Sequence, residues 1–257
     1  MRTACADSES RSAYETGQSV EGDVLRPGGL ELTAHAIHLC GLTPGARVLD
    51  IGCGSGASVR YLRCVLGFDV VGVDISASAC KLTSKQGADI RILRGGANCL
   101  PIASESMDAV LAECSLSLMK DKEEVLAECF RVLAAGGRLV ITDMYARNPG
   151  AAASLRALPN ACVSGMIVRQ ELEEQLAKQD FLLELWEDHA DALEQLLFRF
   201  VMGNGDLEQL WNRKCTDKAE SERIRAAMRN VRPGYFLLVA SKEQSDQSKR
   251  GEQYEQR

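Results

Sequence analysis

Short apolar runs alternate with amphipathic stretches along residues 46–146 of the chain. The runs are rich in β-branched residues and bounded by glycine or charged residues, which is typical of strands. The stretches between them place apolar residues three and four positions apart, as on one face of a helix. Such alternation predicts parallel strands joined by helical crossovers, and therefore an open α/β sheet. The five predicted strands are 46–52, 68–74, 89–95, 106–114 and 138–144.

Two of the intervening helices carry signals for where they begin or end. Ser76 can cap the helix that follows the second strand. Asp121 and Glu124 have the spacing of a capping box for a helix over 122–134. The small residues Ala135-Gly136-Gly137 are expected to end that helix.

The second half of the chain has a different pattern. Residues 189–230 are rich in Leu, Glu, Arg and Ala and predict helices throughout, between strand-like runs at 181–188 and 234–242. Because these helices separate two strands, we expect an insertion over one edge of the sheet rather than a separate domain. The predicted organisation is a flexible N-terminus (1–20), a single domain (21–242) with a helical lid at about 189–232, and a flexible tail (243–257).

Composition and charge narrow the function classes. The chain has 257 residues, of which 46% are hydrophobic, and its formal net charge is −6. An acidic balance argues against a nucleic-acid backbone or an anionic membrane as the main partner. No apolar run approaches the roughly 20 residues that span a bilayer, and the polar N-terminus lacks the apolar core of a secretory signal. We therefore expect a cytoplasmic protein, with its oligomeric state left open.

The cysteines and histidines give no sign of a metal centre. Ten cysteines are scattered without a CxxC pair, which fits neither a disulfide framework nor a zinc ribbon. This usage fits a reducing compartment, and most of the thiols are expected to be small buried hydrophobes. His35 and His38 lie three positions apart on a predicted helix and could share an ion. With no third ligand nearby in the sequence, we predict no metal site.

The richest motif is "VLDIGCGSG" (48–56), where a strand runs into a loop with glycines at 52, 54 and 56. Glycines let the backbone turn sharply and approach a ligand closely. In an open parallel sheet such a loop lies beyond the carboxyl ends of the strands, where ligands bind. A dinucleotide fingerprint would place its third glycine at Ala57, and because that fingerprint tolerates alanine, spacing alone leaves a nicotinamide-dependent oxidoreductase open. No GKS or GKT follows, which excludes a P-loop.

Two carboxylates discriminate between these ligands. Asp50 precedes the loop, where it would repel a pyrophosphate but suit a cationic amino group. Asp74 ends the next strand, where a carboxylate can accept hydrogen bonds from both hydroxyls of a ribose. A ligand with a ribose, a positive charge and no phosphate is S-adenosylmethionine. The pair therefore favours this cofactor over NAD.

Four stretches together resemble the class I S-adenosylmethionine-dependent methyltransferases, of the methyltransferase type 11 or UbiE-like kind. "VLDIGCGSG" resembles the first motif of that family and "VVGVDIS" the second, with Asp74 as ribose ligand. "GANCLPIASESMDAVLAE" resembles the segment that lines the adenine, and "ECFRVLAAGGRLVITDMY" the helix, turn and strand that follow. The resemblance implies a Rossmann-like, open seven-stranded sheet, mostly parallel with an antiparallel last strand and helices on both faces. It also implies methyl transfer to a small-molecule acceptor.

The resemblance assigns cofactor contacts to residues at the ends of the first four strands. The family often has an Asp at position 96, where this chain has glycine. The contact to the adenine amino group then falls to the backbone at 96–97 or to Asn98. Because of this departure, a cofactor-binding accessory protein without catalysis stays open as an alternative. The implied cofactor contacts are Asp50, Gly52, Cys53, Gly54, Gly56, Asp74, Ile75, Gly96, Ala97, Asn98 and Glu113.

Further stretches bear on the methyl acceptor. "LRPGGLELT" resembles a bacterial subgroup labelled TrsM, whereas "AECSLSL" and "NACVSGMIVRQELEEQLAKQDF" resemble segments of arsenite methyltransferases. In the latter enzymes a cysteine at the position of Cys162 and another near the C-terminus bind trivalent arsenic, and Cys215 is the candidate for the second. A soft thiol or a metalloid such as arsenite is thus an expected acceptor. Glu113 stands where those enzymes have Asn.

A hydroxyl or amine acceptor would need a general base, whereas a soft nucleophile would not. His189 is the first candidate, because a neighbouring carboxylate at 187 or 188 could raise its pKa. The alternative is that residues 187–189 cap the following helix. The expected catalytic residues are Cys162, Cys215, Glu113 and His189, and further candidate bases are Asp143 and Tyr145.

Overall fold

The computed structural model of the protein describes residues 26–77, 90–156, 164–202 and 218–243. Its elements alternate as the sequence predicts, with most boundaries displaced by one or two residues. The elements in chain order are α1 (Gly29–Leu39), β1 (Arg47–Ile51), α2 (Ala57–Cys64), β2 (Asp69–Asp74), β3 (Arg91–Arg94), β4 (Met107–Glu113), a 3₁₀ helix (Leu116–Leu118), α3 (Lys122–Val132), β5 (Leu133–Ala146), α4 (Pro149–Arg156), α5 (Arg169–Lys178), β6 (Phe181–Asp188), α6 (Ala190–Met202), α7 (Lys218–Val231) and β7 (Pro233–Lys242).

All seven strands lie in one sheet, in the order β3-β2-β1-β4-β5-β7-β6. Strands β1 to β5 pair in parallel, and β7 pairs antiparallel with both β5 and β6. The expected seven-stranded sheet with an antiparallel last strand is confirmed. Because β6 therefore runs parallel to β5, the carboxyl ends of β1, β2, β4, β5 and β6 all face the same edge of the sheet. Ligands bind at that edge in open α/β folds.

Helices cover both faces of the sheet, as expected. Helices α1, α2 and α6 pack on one face, where Leu32, Val59 and Leu193 join apolar strand residues in one core. Helices α3 and α5 pack on the other face, where Leu126 and Leu172 belong to a second core. Neighbouring strand residues alternate between the two cores because side chains of a strand point to opposite faces.

The end of α3 differs from the prediction. Asp121 is the residue before the helix, as predicted, but its side chain makes no capping hydrogen bond. The helix ends at Val132, and β5 begins at the next residue instead of at 138. The partner of β4 then jumps from Leu133 to Arg138, and Gly136 within this irregularity has a φ of 77°. The small residues therefore form a bulge inside the strand, which glycine permits because it tolerates positive φ.

The predicted helical insertion is described in part. Helix α6 packs on the sheet through Leu193, and α7 packs against α4 through Ile224, Ala227 and Val231. Residues 203–217 lie outside the described residues, as do the predicted N-terminus, the tail from 244 and most of the helix after Ser76. No described helix is long and apolar enough to cross a bilayer.

An aromatic cluster joins β5, β6 and β7 near the carboxyl end of β6. Trp186 stacks on Phe236 with ring centroids 4.1 Å apart, and Tyr145 meets the Trp186 ring edge-on at 5.4 Å. The guanidinium of Arg169 lies 4.7 Å from the centre of the Trp186 ring. These contacts fix the relative positions of three strands close to the ligand edge.

Candidate active site

The glycine loop lies between the carboxyl end of β1 and the start of α2. Gly52, Gly54 and Gly56 all have positive φ, which only glycine adopts without strain. A Cβ on Gly52 would lie 2.6 Å from the Cβ of Ser115, so position 52 also lacks room for a side chain. The backbone N–H of Gly52 donates to the carbonyl oxygen of Val73 at 2.7 Å, which holds the loop against the end of β2.

Asp74 joins this loop to the end of β2. Its Oδ2 accepts a hydrogen bond from the backbone N–H of Gly54 at 2.8 Å, and its Oδ1 accepts one from that of Ser76 at 2.8 Å. A carboxylate has about four acceptor positions, so both oxygens keep capacity for further donors. The carboxylate is thus fixed in orientation and can still accept hydrogen bonds from a diol.

Asp50 is buried, with 2% of its surface exposed. Burial, and then the neighbouring Glu113 carboxylate, raise the pKa of Asp50 well above its usual range, although Arg26 acts in the opposite direction. No described residue donates a hydrogen bond to its side chain. A buried carboxylate without a donor is costly. A cationic amino group at this position would supply both the donor and the opposite charge.

Glu113 lies on the same face of the sheet as Asp50 and is held from three sides. Arg26 forms a salt bridge with its Oε2 at 2.9 Å, to which the Ser58 hydroxyl also donates at 2.7 Å. The Thr33 hydroxyl donates to Oε1 at 2.8 Å. The side chain is 3% exposed. Because both oxygens are occupied by protein donors, this geometry favours an anchoring role for Glu113 over proton transfer, and its predicted catalytic role stays a prediction.

The partners of Glu113 could not be predicted from the sequence. Arg26 stands in the quoted "LRPGG" stretch, and Ser58 and Thr33 belong to α2 and α1. Each residue is unremarkable in sequence, and the only available signal was a buried acid on β4, which requires a cation or several donors to be stable.

The segment after β3 lies beside the end of β2, where the backbone N–H of Gly95 donates to the carbonyl oxygen of Asp74 at 3.0 Å. A Cβ on Gly96 would lie 2.7 Å from Oδ1 of Asn98, so the side chain missing at 96 is replaced in space by that of Asn98. The amide of Asn98 donates to Glu124 at 3.2 Å. Ile75, next to Asp74, is 49% exposed and offers an apolar surface at this edge. These predicted cofactor contacts are therefore close in space, and their roles remain predictions.

The carboxyl ends of β5 and β6 carry a separate polar group. The Tyr145 hydroxyl donates to Oδ2 of Asp188 at 2.8 Å, and Arg147 donates to the same oxygen at 2.7 Å. Asp143, in contrast, is fully buried and accepts bonds from the backbone N–H groups of Ser117 and Met144. Burial raises the pKa of Asp143, against the effect of these bonds. Of these candidate bases, Asp188 and Tyr145 are the more accessible.

His189 lies close to Glu187 and to His35. Its Nε2 lies 2.9 Å from Oε2 of Glu187, and Nε2 of His35 lies 2.9 Å from the same oxygen. The sequence analysis did not predict this grouping, because His35 and Glu187 are 152 positions apart in the chain. The backbone N–H of Ala190 donates to Oδ1 of Asp188 at 2.9 Å, so Asp188 alone of residues 187–189 takes the capping role that the alternative interpretation gave to all three.

The thiols of Cys114 and Cys53 lie at this edge. Burial raises the pKa of Cys114 to about 12, and its side chain packs beside Tyr235. Cys53 lies partly buried within the glycine loop and packs against the α1 face of the sheet. Cys162 and Cys215 lie outside the described residues, so their predicted roles stay predictions.

A protein-family model matches the part of the chain that forms this edge of the sheet. Residues 49–141 match the model of Methyltransf_11, a methyltransferase domain. The match spans the glycine loop, Asp74, the 96–98 segment and β4, which are the parts assembled at the ligand edge. The predicted resemblance to the S-adenosylmethionine-dependent methyltransferases is thus confirmed over residues 49–141.

Two curated relatives share part of the chain. A demethylmenaquinone methyltransferase of Renibacterium salmoninarum is 37% identical over 103 residues, which are 40% of this chain and 43% of that protein. An arsenite methyltransferase of Mus musculus is 31% identical over 156 residues, which are 52% of this chain and 42% of that protein. The chain therefore spans less than half the length of these relatives.

Two solved structures share the fold over most of the chain. The [4+2]-cyclase SpnF has a TM-score of 0.67 at 21% identity, and the superposition covers 84% of this chain and 82% of the cyclase chain. Phosphoethanolamine N-methyltransferase 2 of Haemonchus contortus, in complex with S-adenosyl-L-methionine, has a TM-score of 0.64 at 19% identity and covers 87% of this chain and 55% of its own. At these identities the likeness concerns the fold.

Proposed function

We propose that the protein transfers a methyl group from S-adenosylmethionine to a small-molecule acceptor with a soft nucleophilic atom, either a thiol sulfur or trivalent arsenic. The observation that carries the cofactor assignment is the pair of carboxylates at the ends of adjacent strands. Asp50 is buried without a described donor, and Asp74 is oriented by two backbone N–H groups. This pair suits a nucleoside with a ribose at one end and an ammonium at the other.

The cofactor supplies an activated methyl group on a sulfonium, and the protein's contribution is to hold both reactants in line and exclude water. The glycine loop, fixed against β2, and Glu113, fixed by three donors, preorganise the cofactor half of the site. A soft acceptor needs no strong base, so the proposed reaction requires no general base.

Two observations support a soft acceptor. The arsenite methyltransferase of mouse is among the relatives, and residues 160–181 resemble the corresponding segment of such enzymes. Arsenite methyltransferases have Asn at the position of Glu113. Because the oxygens of Glu113 are bonded to Arg26, Ser58 and Thr33, this difference does not place a free carboxylate beside the acceptor.

Calorimetric titration tests the cofactor assignment. We expect S-adenosylmethionine to bind and NAD not to bind. The substitution Asp50→Asn should weaken the cofactor about 10- to 100-fold, because a charge-assisted hydrogen bond contributes about 1.5–3 kcal/mol. Asp108→Asn, at the opposite, amino end of β4, is the control and should leave the affinity unchanged. Tight binding of NAD, or equal affinities of the two variants, would refute the assignment.

An acceptor screen tests the second half of the proposal. Arsenite, thiols, phenols and amines are supplied in turn, and release of S-adenosylhomocysteine is measured. Arsenite or a thiol should give turnover, and Cys162→Ser should abolish that turnover while cofactor affinity is retained. Cys64→Ser, which alters an exposed thiol on α2, is the matched control. Turnover with phenols or amines alone would overturn the soft-acceptor proposal, and cofactor binding without turnover of any acceptor would favour an accessory role.

A further inference from the structure

Three side chains that the methyl-transfer proposal does not use meet where α1 approaches the carboxyl end of β6. His35 comes from α1, Glu187 from β6, and His189 directly follows β6. The Nε2 atoms of both histidines lie 2.9 Å from the same oxygen of Glu187, and the three potential ligand atoms lie within 4.8 Å of one another. The two imidazole rings are inclined at 67° with their centroids 6.0 Å apart, and the Nε2 atom of each ring faces the Glu187 carboxylate.

We propose that His35, Glu187 and His189 form a binding site for a divalent first-row transition-metal ion of the Zn²⁺ type. Imidazole nitrogen and carboxylate oxygen are ligands that such ions prefer, and they bind at about 2.0–2.2 Å. Ligand atoms around an ion at these distances lie about 3–3.5 Å apart. The present separations require only small side-chain rotations to reach that geometry.

The backbone already fixes the elements that carry the three ligands. The backbone N–H of His189 donates to the carbonyl oxygen of Tyr235 at 2.8 Å, and Glu187 lies in register with Leu237 of β7. Helix α1 is tied to the sheet through Thr33, whose hydroxyl bonds to Glu113. Two ligands therefore come from one rigid strand end and the third from a separately anchored helix, so little chain ordering is left for the ion to impose.

The site is accessible and would keep open coordination positions. The side chains of His35, Glu187 and His189 are 42, 31 and 23% exposed. Three protein ligands with the remaining positions open to water are typical of exchangeable or catalytic sites, whereas structural zinc sites use four. Tyr145 and Asp188, joined by a hydrogen bond of 2.8 Å, lie at the adjoining ends of β5 and β6.

The competing interpretation is a metal-free contact, in which Glu187 bridges one protonated and one neutral histidine and so fastens α1 to β6. The two interpretations differ in how the site responds to added ions. A metal site gains affinity from all three groups together, whereas a hydrogen-bonded contact gains none. The distinction does not depend on methyl transfer or on its acceptor.

The test is a titration of chelator-treated full-length protein with Zn²⁺, followed by calorimetry and by NMR of the histidine ring protons. The chain has three histidines, so each ring gives an assignable signal. We expect Zn²⁺ to shift the signals of His35 and His189 and to leave that of His38 in place. His35→Gln, Glu187→Gln and His189→Gln should each weaken the ion at least about tenfold, since each removes one of three ligands.

His38→Gln is the matched control, because it removes an imidazole from the same helix without touching the cluster. The control should bind Zn²⁺ as the unaltered chain does. Co²⁺ provides the check against cysteine, because thiolate ligation gives an intense near-ultraviolet band that imidazole and carboxylate do not. Equal affinity in the cluster variants and the control, ring shifts that include His38 alone, or a thiolate band at the tightest site would overturn the proposal. Unchanged ring signals throughout the titration would establish the metal-free contact.

Discussion

The carboxylates in the two halves of the ligand edge differ in their burial and in their partners. At the ends of β1 and β4, Asp50 and Glu113 are buried, and Glu113 is held by one guanidinium and two hydroxyls. At the end of β6, Glu187 and Asp188 have side chains that are 31 and 41% exposed and are met by histidine, tyrosine and arginine. The chain thus fixes one half of the edge in its interior and leaves the other half at the surface.

On the proposed function, the two halves would bind different reactants. A buried ion pair depends on every partner, because removal of one leaves an uncompensated charge. Such an arrangement suits a cofactor of constant shape. Exposed pairs contribute little to stability and tolerate substitution, which suits a surface that adapts to an acceptor.

The strongest test of this contrast is Glu113→Gln. We expect the variant to lose about 3–5 kcal/mol of unfolding free energy, because Arg26 would remain buried without its counter-charge. Denaturant unfolding at neutral pH measures the loss. The matched exposed change is Glu173→Gln, which breaks the pair with Arg169 on α5 and should cost about 0.5 kcal/mol or less. Similar losses for the two variants would remove the contrast between interior and surface.

A second prediction concerns the pH dependence that Asp50 confers. Burial, followed by Glu113, raises the pKa of Asp50 in the folded chain above the ordinary value of 3.8. The folded state therefore binds a proton more tightly than the unfolded state, and stability should fall as pH rises from 3.8 through the raised pKa, by at most about 1.4 kcal/mol per pH unit. Asp50→Asn should flatten this fall in unfolding curves taken at several pH values. Asp143 contributes with the same sign in both proteins and cancels in the difference.

The raised pKa of Asp50 should also make cofactor binding depend on pH. A cationic amino group beside Asp50 favours the ionised carboxylate, so S-adenosylmethionine should bind with release of a proton and more tightly as pH rises. Calorimetry in phosphate and in Tris, which differ in ionisation heat, measures the release. An identical apparent enthalpy in both buffers would show that Asp50 is not the group that meets the cation.

The smallest expected effect belongs to Asp188→Asn. Because this carboxylate is exposed, loss of its pair with Arg147 should change the unfolding free energy by about 1 kcal/mol or less and leave cofactor affinity unchanged. If the acceptor binds beside the ends of β5 and β6, the effect of the substitution should instead fall on kcat/KM for the acceptor, since Tyr145 loses its charged hydrogen-bond partner. A fall in cofactor affinity would mean that the two halves of the edge are coupled.

Most of the fold could be predicted because local pattern and tertiary role agree along β1 to β4. The strand at 138–144 was placed correctly but begins earlier, at Leu133. After Leu133, residues 134–137 are alanine and glycine, as in a turn, and only the pairing of Leu133 with Met107 of β4 draws this stretch into the sheet. Periodicity within one segment cannot reveal a partner that lies 26 residues away.

The candidate site divides in the same way. Asp50, Asp74 and the glycine loop could be found because each stands at a strand end, a position that sequence identifies. Arg26, Thr33 and Ser58 could not, because their common partner, Glu113, is 55 to 87 residues distant in the chain. The meeting of His35 with His189 likewise depends on how α1 crosses the sheet, which no short motif encodes.

The aromatic stack at the end of β6 also gives the protein an internal optical reporter. Trp186 is one of two tryptophans, and its indole lies between the Phe236 ring and the Arg169 guanidinium, near the carboxyl end of β6. With Trp211 replaced by Phe, the emission of Trp186 alone would register any molecule that displaces that guanidinium. Acceptors could then be ranked by fluorescence before any turnover is measured.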